Sequence, residues 1–346
     1  MSELVAADPS AQPISGEPRA RVLVAGVTGL SGALAARLIW RHPRLELVAA
    51  TSRSQAGRRL DELYPRHRVP ITLTELDLRA ADEVEAAVVA LPHGASAPVV
   101  AELRGLGALV VDLSADFRLR DLTTYERWYA PHGEPDLLSS AVYGLTELNR
   151  AKVREAELVA NPGCYPTAAM LALAPLAEAG ACAEVIVDAK SGVSGAGRGG
   201  ADFADVVENF KPYGLEGHRH SPELEQELRA LGYEGTVTFV PHLLPLDQGL
   251  LASCYVTPSR EIGSEELRAL YEARYAGEPF IDLVDVPPGV RDVRETNVAR
   301  VHARLDERSG RVLAFCAIDN LWKGASGQAL QNLNLMLGLP ETEGLV

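Results

Sequence analysis

The sequence predicts an α/β chain in two parts: a parallel sheet wrapped by helices, then an α+β unit on a mostly antiparallel sheet. Three observations carry this. Near the N-terminus an apolar strand runs through a glycine-rich turn into a helix. Further apolar runs up to about residue 160 each end in a polar loop, as parallel strands do at their carboxyl ends. Beyond residue 185 strands dominate, at 236–240, 250–256, 298–305 and 312–317, with a helix near 264–275.

The chain is long enough for two domains, at 346 residues. The stretch Arg21-Val22-Leu23-Val24-Ala25 reads as a buried strand, and Leu34 and Leu38 keep helical spacing until His42-Pro43 stops the helix. Between them lies Gly26-Val27-Thr28-Gly29-Leu30-Ser31-Gly32, whose small residues let a phosphate approach backbone N–H groups at the helix N-terminus. That mechanism predicts a Rossmann-like, dinucleotide-binding domain; the bare spacing also fits a plain tight turn. The next strand, 46–51, ends in Ser52-Arg53-Ser54, where an acidic residue would hold the ribose of NAD. A guanidinium and two hydroxyls suit a 2′-phosphate, so NADP is favoured over a solvated loop arginine. Apolar runs at 88–91 and 109–111 end in Pro92-His93-Gly94-Ala95-Ser96 and Asp112-Leu113-Ser114-Ala115-Asp116-Phe117-Arg118, loops expected to face cofactor and substrate. Arg118 either pairs with Asp116 or Asp121 or binds an anionic substrate.

The chemistry centres on Asn161-Pro162-Gly163-Cys164-Tyr165-Pro166-Thr167. Leu158-Val159-Ala160 leads in as a strand, and proline in the first turn opens a helix, placing Cys164 at a helix N-terminus where the dipole favours the thiolate. The competing reading is a structural cysteine packed as a small hydrophobe; two prolines and a glycine around it argue for a nucleophile. Downstream, a strand at 185–188 enters Lys190-Ser191-Gly192-Val193-Ser194-Gly195-Ala196-Gly197-Arg198, bare backbone that lets a ligand or another segment come close. Then His218-Arg219-His220 precedes a helix with Ser221 as expected N-cap, Pro222 at the first helical position and Glu223 after it. Two histidines flanking an arginine offer a general base and an anion clamp together. Asp319-Asn320 through Gly327 precedes a final helix, 328–337, expected to return to the first domain.

The net charge of −14 argues against nucleic acid or an acidic membrane surface as partner, and no apolar run suggests a transmembrane helix. Four cysteines without C-x-x-C spacing indicate neither a metal site nor a disulfide framework, and a reducing cytoplasm is the expected home. Residues 1–19 read as a disordered tail.

These stretches, with Leu91-Pro92-His93-Gly94, Val142-Tyr143-Gly144-Leu145 and Glu147-Leu148-Asn149, resemble the N-acetyl-gamma-glutamyl-phosphate reductase family, in the aspartate-semialdehyde and glyceraldehyde-phosphate dehydrogenase structural group. The resemblance runs from about Arg21 onward. The glycine turn departs from the family's frequent Gly-Ala-Ser-Gly-Tyr-Thr-Gly but keeps its glycines. The resemblance implies NADPH reduction of an acyl phosphate through a thioester on Cys164, with His218 or His220 as acid/base. The expected cofactor residues are Gly26, Thr28, Gly29, Leu30, Ser31, Gly32, Ser52, Arg53, Leu91, Pro92, Ser194, Gly195 and Asn320. Those expected for substrate are Arg118, Asn161, Ser191, Arg198, Arg219 and Glu223. It also implies a homodimer or homotetramer formed largely through the second domain. The expected division is 20–163 with 321–346 for the cofactor and 164–320 for catalysis and assembly. Rival readings are a relative acting on carrier-linked aminoadipyl phosphate, a cysteine hydrolase, and a nucleotide-binding protein without chemistry.

Overall fold

The computed structural model describes residues 20–77, 84–196 and 203–346; the expected tail at 1–19 and Arg198 lie outside them. Six parallel strands, β1 (Ala20–Ala25), β2 (Leu45–Thr51), β3 (Ala86–Val89), β4 (Leu109–Asp112), β5 (Val142–Tyr143) and β6 (Leu158–Ala160), form one sheet in the order β2-β1-β3-β4-β6-β5. Alternation along β1 sends Val22 and Val24 to one face and Leu23 and Ala25 to the other. Helices cover both faces, which is why β3 and β6 are apolar without interruption. The order reverses between β1 and β3, so their carboxyl ends frame a topological switch point, where open α/β sheets bind ligands.

The second sheet holds β7 (Cys182–Gly192), β8 (Lys211–Pro212), β9 (Val237–Leu244), β10 (Leu250–Pro258), β11 (Ile281–Leu283), β12 (Ala299–Asp306) and β13 (Arg311–Ile318), ordered β11-β12-β13-β10-β7-β9-β8. The pairs β7–β10, β10–β13, β12–β13 and β8–β9 are antiparallel, whereas β7–β9 and β11–β12 are parallel. The expected α/β plus mostly antiparallel α+β architecture is therefore observed.

One helix joins the two sheets. Cys164–Glu178 starts directly after β6 of the first sheet and packs Met170, Leu171 and Leu173 into a core with Val185, Val187, Cys254 and Cys316 of the second. Its apolar side chains run all round, as in a helix buried on every side. Pro175 cannot donate to the carbonyl of Leu171 one turn back, and the Tyr275 hydroxyl donates to it instead. The last helix, Gly327–Met336, follows a π-helical turn, Trp322–Ser326, and sets Ala329, Leu330 and Leu333 against Val22, Val24 and the first helix, Leu30–Arg41. At the His-Arg-His segment the expected register shifts by one. His220 holds the N-cap position of Ser221–Ala230 with helical φ −83°, ψ −10° and no side-chain cap bond, which leaves Ser221 inside the first turn with Pro222 after it.

Candidate active site

Cys164 is the first residue of its helix, and Gly163 caps it in extended conformation without a side-chain bond. Two glycines are forced by packing around the thiol. A Cβ at Gly163 would lie 2.5 Å from His220 Nε2, and one at Gly324 would lie 2.8 Å from Cys164 Cβ. The imidazole therefore rests against the residue preceding the thiol. Glu223 holds the turn: Oε1 accepts from the Gly163 N–H at 2.8 Å and from the Tyr143 hydroxyl at 2.7 Å. Pro166 has no N–H, and the Thr167 N–H is used by Gly163 O at 2.9 Å. The first-turn donors left are those of Cys164 and Tyr165.

Electrostatics correct one expectation. Burial pushes the Cys164 thiol up to about 11, against the opposing pull of Arg118 and of the Tyr165 and Cys164 N–H groups. The helix terminus alone does not make a resting thiolate; a base must take the proton. His220 is unprotonated and can accept it: burial, then His218 and Arg118, hold its imidazole well below its ordinary value. Its Nδ1 has no hydrogen-bond partner among the described residues. His218 is pushed down to about 4 by burial and Arg219, and its Nδ1 accepts the His220 N–H at 3.1 Å. The His218 ring sits among Tyr165, Tyr213 and Phe239, with centroids 5.2–5.8 Å away.

Arg118 pairs with neither Asp116 nor Asp121. Its guanidinium donates to Asn161 O at 2.8 Å and Leu113 O at 2.9 Å, and faces Glu223 at 3.5 Å. Asp116 is used instead by Gly94 N, Ala97 N and the Tyr125 hydroxyl, and Asp121 caps the helix Leu122–Trp128.

Two adjoining cavities meet at Cys164. An inner one of about 250 Å³ lies between the glycine turn and the Cys164 turn; an outer one of about 1130 Å³ opens beyond it. Cys164, Arg118, His220 and Gly195 line both. The inner cavity also takes Gly29, Leu30, Ser31, Gly32, Ser194 and Asn320. The outer takes Leu91, Pro92, His218, Ser191 and Arg219. Gly26, Thr28, Ser52 and Arg53 line neither. Asn161 is fully buried: its amide donates to Ala325 O at 3.1 Å and accepts from Asn332 at 3.2 Å, fastening the last helix behind the Cys164 turn instead of facing a substrate. Glu223 likewise stands behind the wall. Asn320 bridges Ser194 Oγ at 2.9 Å and the Gly249 N–H at 2.7 Å.

The residues 21–156 match the model described as semialdehyde dehydrogenase, NAD binding domain, and 164–320 match semialdehyde dehydrogenase, dimerisation domain. The N-acetyl-gamma-glutamyl-phosphate reductase of Moorella thermoacetica is 50% identical over 336 residues, covering 93% of this chain and 96% of its own. This chain belongs to the N-acetyl-gamma-glutamyl-phosphate reductase family. In this reductase family's wider fold group, aspartate semialdehyde dehydrogenase II of Vibrio cholerae, complexed with ASA, superposes with TM-score 0.70 at 18% identity over 93% of this chain and 99% of that one. The Candida albicans aspartate semialdehyde dehydrogenase with NADP gives TM-score 0.68 at 16% identity, covering 92% and 98%. Both share the fold.

The glycine turn fits a dinucleotide. Gly26 has φ +90°, and a Cβ there would meet Ala90 O at 2.5 Å; one at Gly32 would strike the Gly26 backbone. At Gly29 nothing lies nearer than 3.9 Å, which leaves the space before the helix open. Tight turn, open approach and close helix packing are the three roles glycines play in a pyrophosphate cradle. The N–H groups of Leu30, Ser31 and Gly32 have no intrahelical acceptor. Arg53 is exposed at the end of β2 with no ion-pair partner among the described residues, whereas Ser52 Oγ accepts from the Gln55 N–H at 3.2 Å and shapes the loop. Among the described residues no helix is long and apolar enough to cross a membrane. Sequence reasoning missed Gly324 and Lys211, which lies in the outer cavity wall. The small-residue run around Gly324 and a lone cation just ahead of Tyr213 were the available signals.

Proposed function

We propose that this reductase converts N-acetyl-L-glutamyl 5-phosphate to N-acetyl-L-glutamate 5-semialdehyde and phosphate, in arginine biosynthesis, through a thioester on Cys164. The observation that carries the mechanism is the neutral imidazole of His220 against Gly163, beside a helix-terminal thiol opening on both cavities. The Cys164 proton passes to His220 and the sulfur attacks the acyl carbon. The oxyanion is met by the Cys164 and Tyr165 N–H groups. Its collapse breaks the acyl C–O bond and releases phosphate into the outer cavity, past Arg118 and Arg219. Gly29, Leu30, Ser31 and Gly32 would hold a nicotinamide dinucleotide, which would supply the hydride that reduces the thioester carbon. The thiohemiacetal oxyanion then collapses to the aldehyde, the C–S bond breaks, and His220 returns its proton to the departing sulfur, which regenerates the free thiol. His218, whose Nδ1 is taken by the His220 N–H, is a positioning residue.

NADP as the cofactor is supported by Arg53 and by the absence of an acidic residue at the end of β2. The same reading assigns 20–163 with 321–346 to the cofactor and 164–320 to catalysis and assembly, as a homodimer or homotetramer. It is supported by the last helix packing on the first sheet. A cytoplasmic location is supported by four free cysteines. The test is acyl trapping. With N-acetylglutamate semialdehyde and NADP but no phosphate, the protein should release a burst of one NADPH per site and carry the acyl group on the Cys164 peptide. Cys164→Ser should do neither. A burst that survives in Cys164→Ser ends the covalent mechanism, and reaction only with a carrier-linked aminoadipyl substrate ends the substrate assignment.

A further inference from the structure

Among the described residues three cations line the outer cavity, Arg118, Lys211 and Arg219, and no carboxylate does. In a chain of net charge −14 this is a local concentration. The three differ in how far they are already engaged. Arg118 is held by two carbonyls and Glu223. Arg219 lies 5.5 Å over the Tyr129 ring, with Nη1 3.5 Å from His93 Nδ1. Lys211 is exposed and its side chain makes no hydrogen bond or ion pair with the described residues, yet its backbone is fixed by pairing with Leu243 of β9, itself part of the cavity wall. Arg118 also reaches the inner cavity with Cys164, whereas Lys211 belongs to the outer one alone.

The substrate under Proposed function has two anionic ends. The phosphoryl group sits on the reacting carbon and departs. The α-carboxylate sits at the far end of the acyl chain and stays through the thioester stage. A free ammonium in the outer wall, away from the cofactor cradle, matches the second end. We propose that Lys211 binds the α-carboxylate and is the specificity-determining residue for an acyl chain carrying one. The inference rests on the reaction proposed above. The contact is the same in ground and transition states, so it sets KM with little effect on kcat.

The test compares two aldehydes in the oxidative direction with phosphate and NADP: N-acetylglutamate 5-semialdehyde and 4-acetamidobutanal, which lacks only the carboxylate. Lys211→Met should raise KM for the first about 10- to 100-fold, the range of a lost charge-assisted contact, with kcat changed less than about threefold. KM for 4-acetamidobutanal, phosphate and NADP should move less than about threefold, and Lys211→Arg should recover most of the loss. An unmoved KM for the semialdehyde, an equal rise for both aldehydes, or a rise confined to phosphate overturns the inference. A parent protein inactive with both aldehydes overturns the proposed reaction and the inference with it; an active parent and an unaffected Lys211→Met overturn the inference alone.

Discussion

Among the described residues two cation–carboxylate pairs lie inside this molecule, and they are built for opposite ends. Lys323 and Glu147 are both fully buried: Nζ donates to Glu147 Oε1 at 2.6 Å and to Gln331 Oε1 at 2.7 Å, and sits 5.6 Å from the Phe280 ring. Asn297 and Gln331 complete the shell. Burial alone would raise the Glu147 carboxyl, but Lys323 and Gln331 outweigh it and hold it below its ordinary value. Arg118 and Glu223 are looser, at 3.5 Å, and every other hydrogen bond their side chains make goes to the backbone of the Cys164 turn, to Leu113 or to Tyr143. The first pair is enclosed by protein. The second has two cavities in front of it. Burial of charge therefore does not mark the functional site; unfilled space beside a partly engaged cation does.

The comparison is broken most sharply by separating activity from stability. His220→Gln should lower kcat by roughly 10²–10⁴ with the unfolding midpoint unchanged, while His218→Gln costs less. If His218→Gln does the greater damage, the base has been assigned to the wrong ring. Lys323→Met leaves Glu147 buried and unpaired, so urea unfolding should show a loss of about 3–5 kcal/mol, with KM and kcat of the folded protein close to the parent's. Adding Glu147→Gln should restore part of that loss; a double variant no more stable than Lys323→Met would contradict the account.

A smaller effect is expected at the cofactor. Arg53→Ala should weaken NADPH binding about tenfold and spare NADH, because an exposed charge-assisted contact to a 2′-phosphate is lost. Equal weakening of both cofactors would move the selectivity elsewhere. The finest test is the pH dependence of alkylation in the resting protein. With the Cys164 thiol pushed up to about 11, the iodoacetamide rate should keep climbing from about pH 7 to pH 10 without a plateau. A plateau below about pH 8 would instead reveal a preformed thiolate–imidazolium pair.

At the Lys323 pair the pH sign is opposite to that of the thiol. Because the folded Glu147 carboxyl is lowered, its stabilisation is fully present above the ordinary Glu value and is lost as pH falls through the lowered one. Acid unfolding of Glu147→Gln should accordingly be less steep in that range than the parent's.

Local chemistry was legible in the chain itself. Backbone constraints made it so: β6 and the start of the helix at Cys164, the helix Ser264–Tyr275, and the glycine turn all follow from apolar period, proline and glycine acting within a few residues. What the chain could not reveal is where each side chain points and what stands opposite it. Asn161 adjoins the nucleophile's motif yet faces the last helix, 171 residues on, at Asn332. Arg118 finds its carboxylate 105 residues away at Glu223, not among its neighbours Asp116 and Asp121. The Cys164 thiol is raised, although its helix terminus favours the thiolate, because desolvation is set by everything packed around a group and the dipole by one turn of backbone. Strand order and cavity walls are likewise long-range facts. The sequence determined the groups that do the chemistry; only the tertiary structure decided which of them share a cavity, since sharing depends on packing between segments that the chain holds far apart.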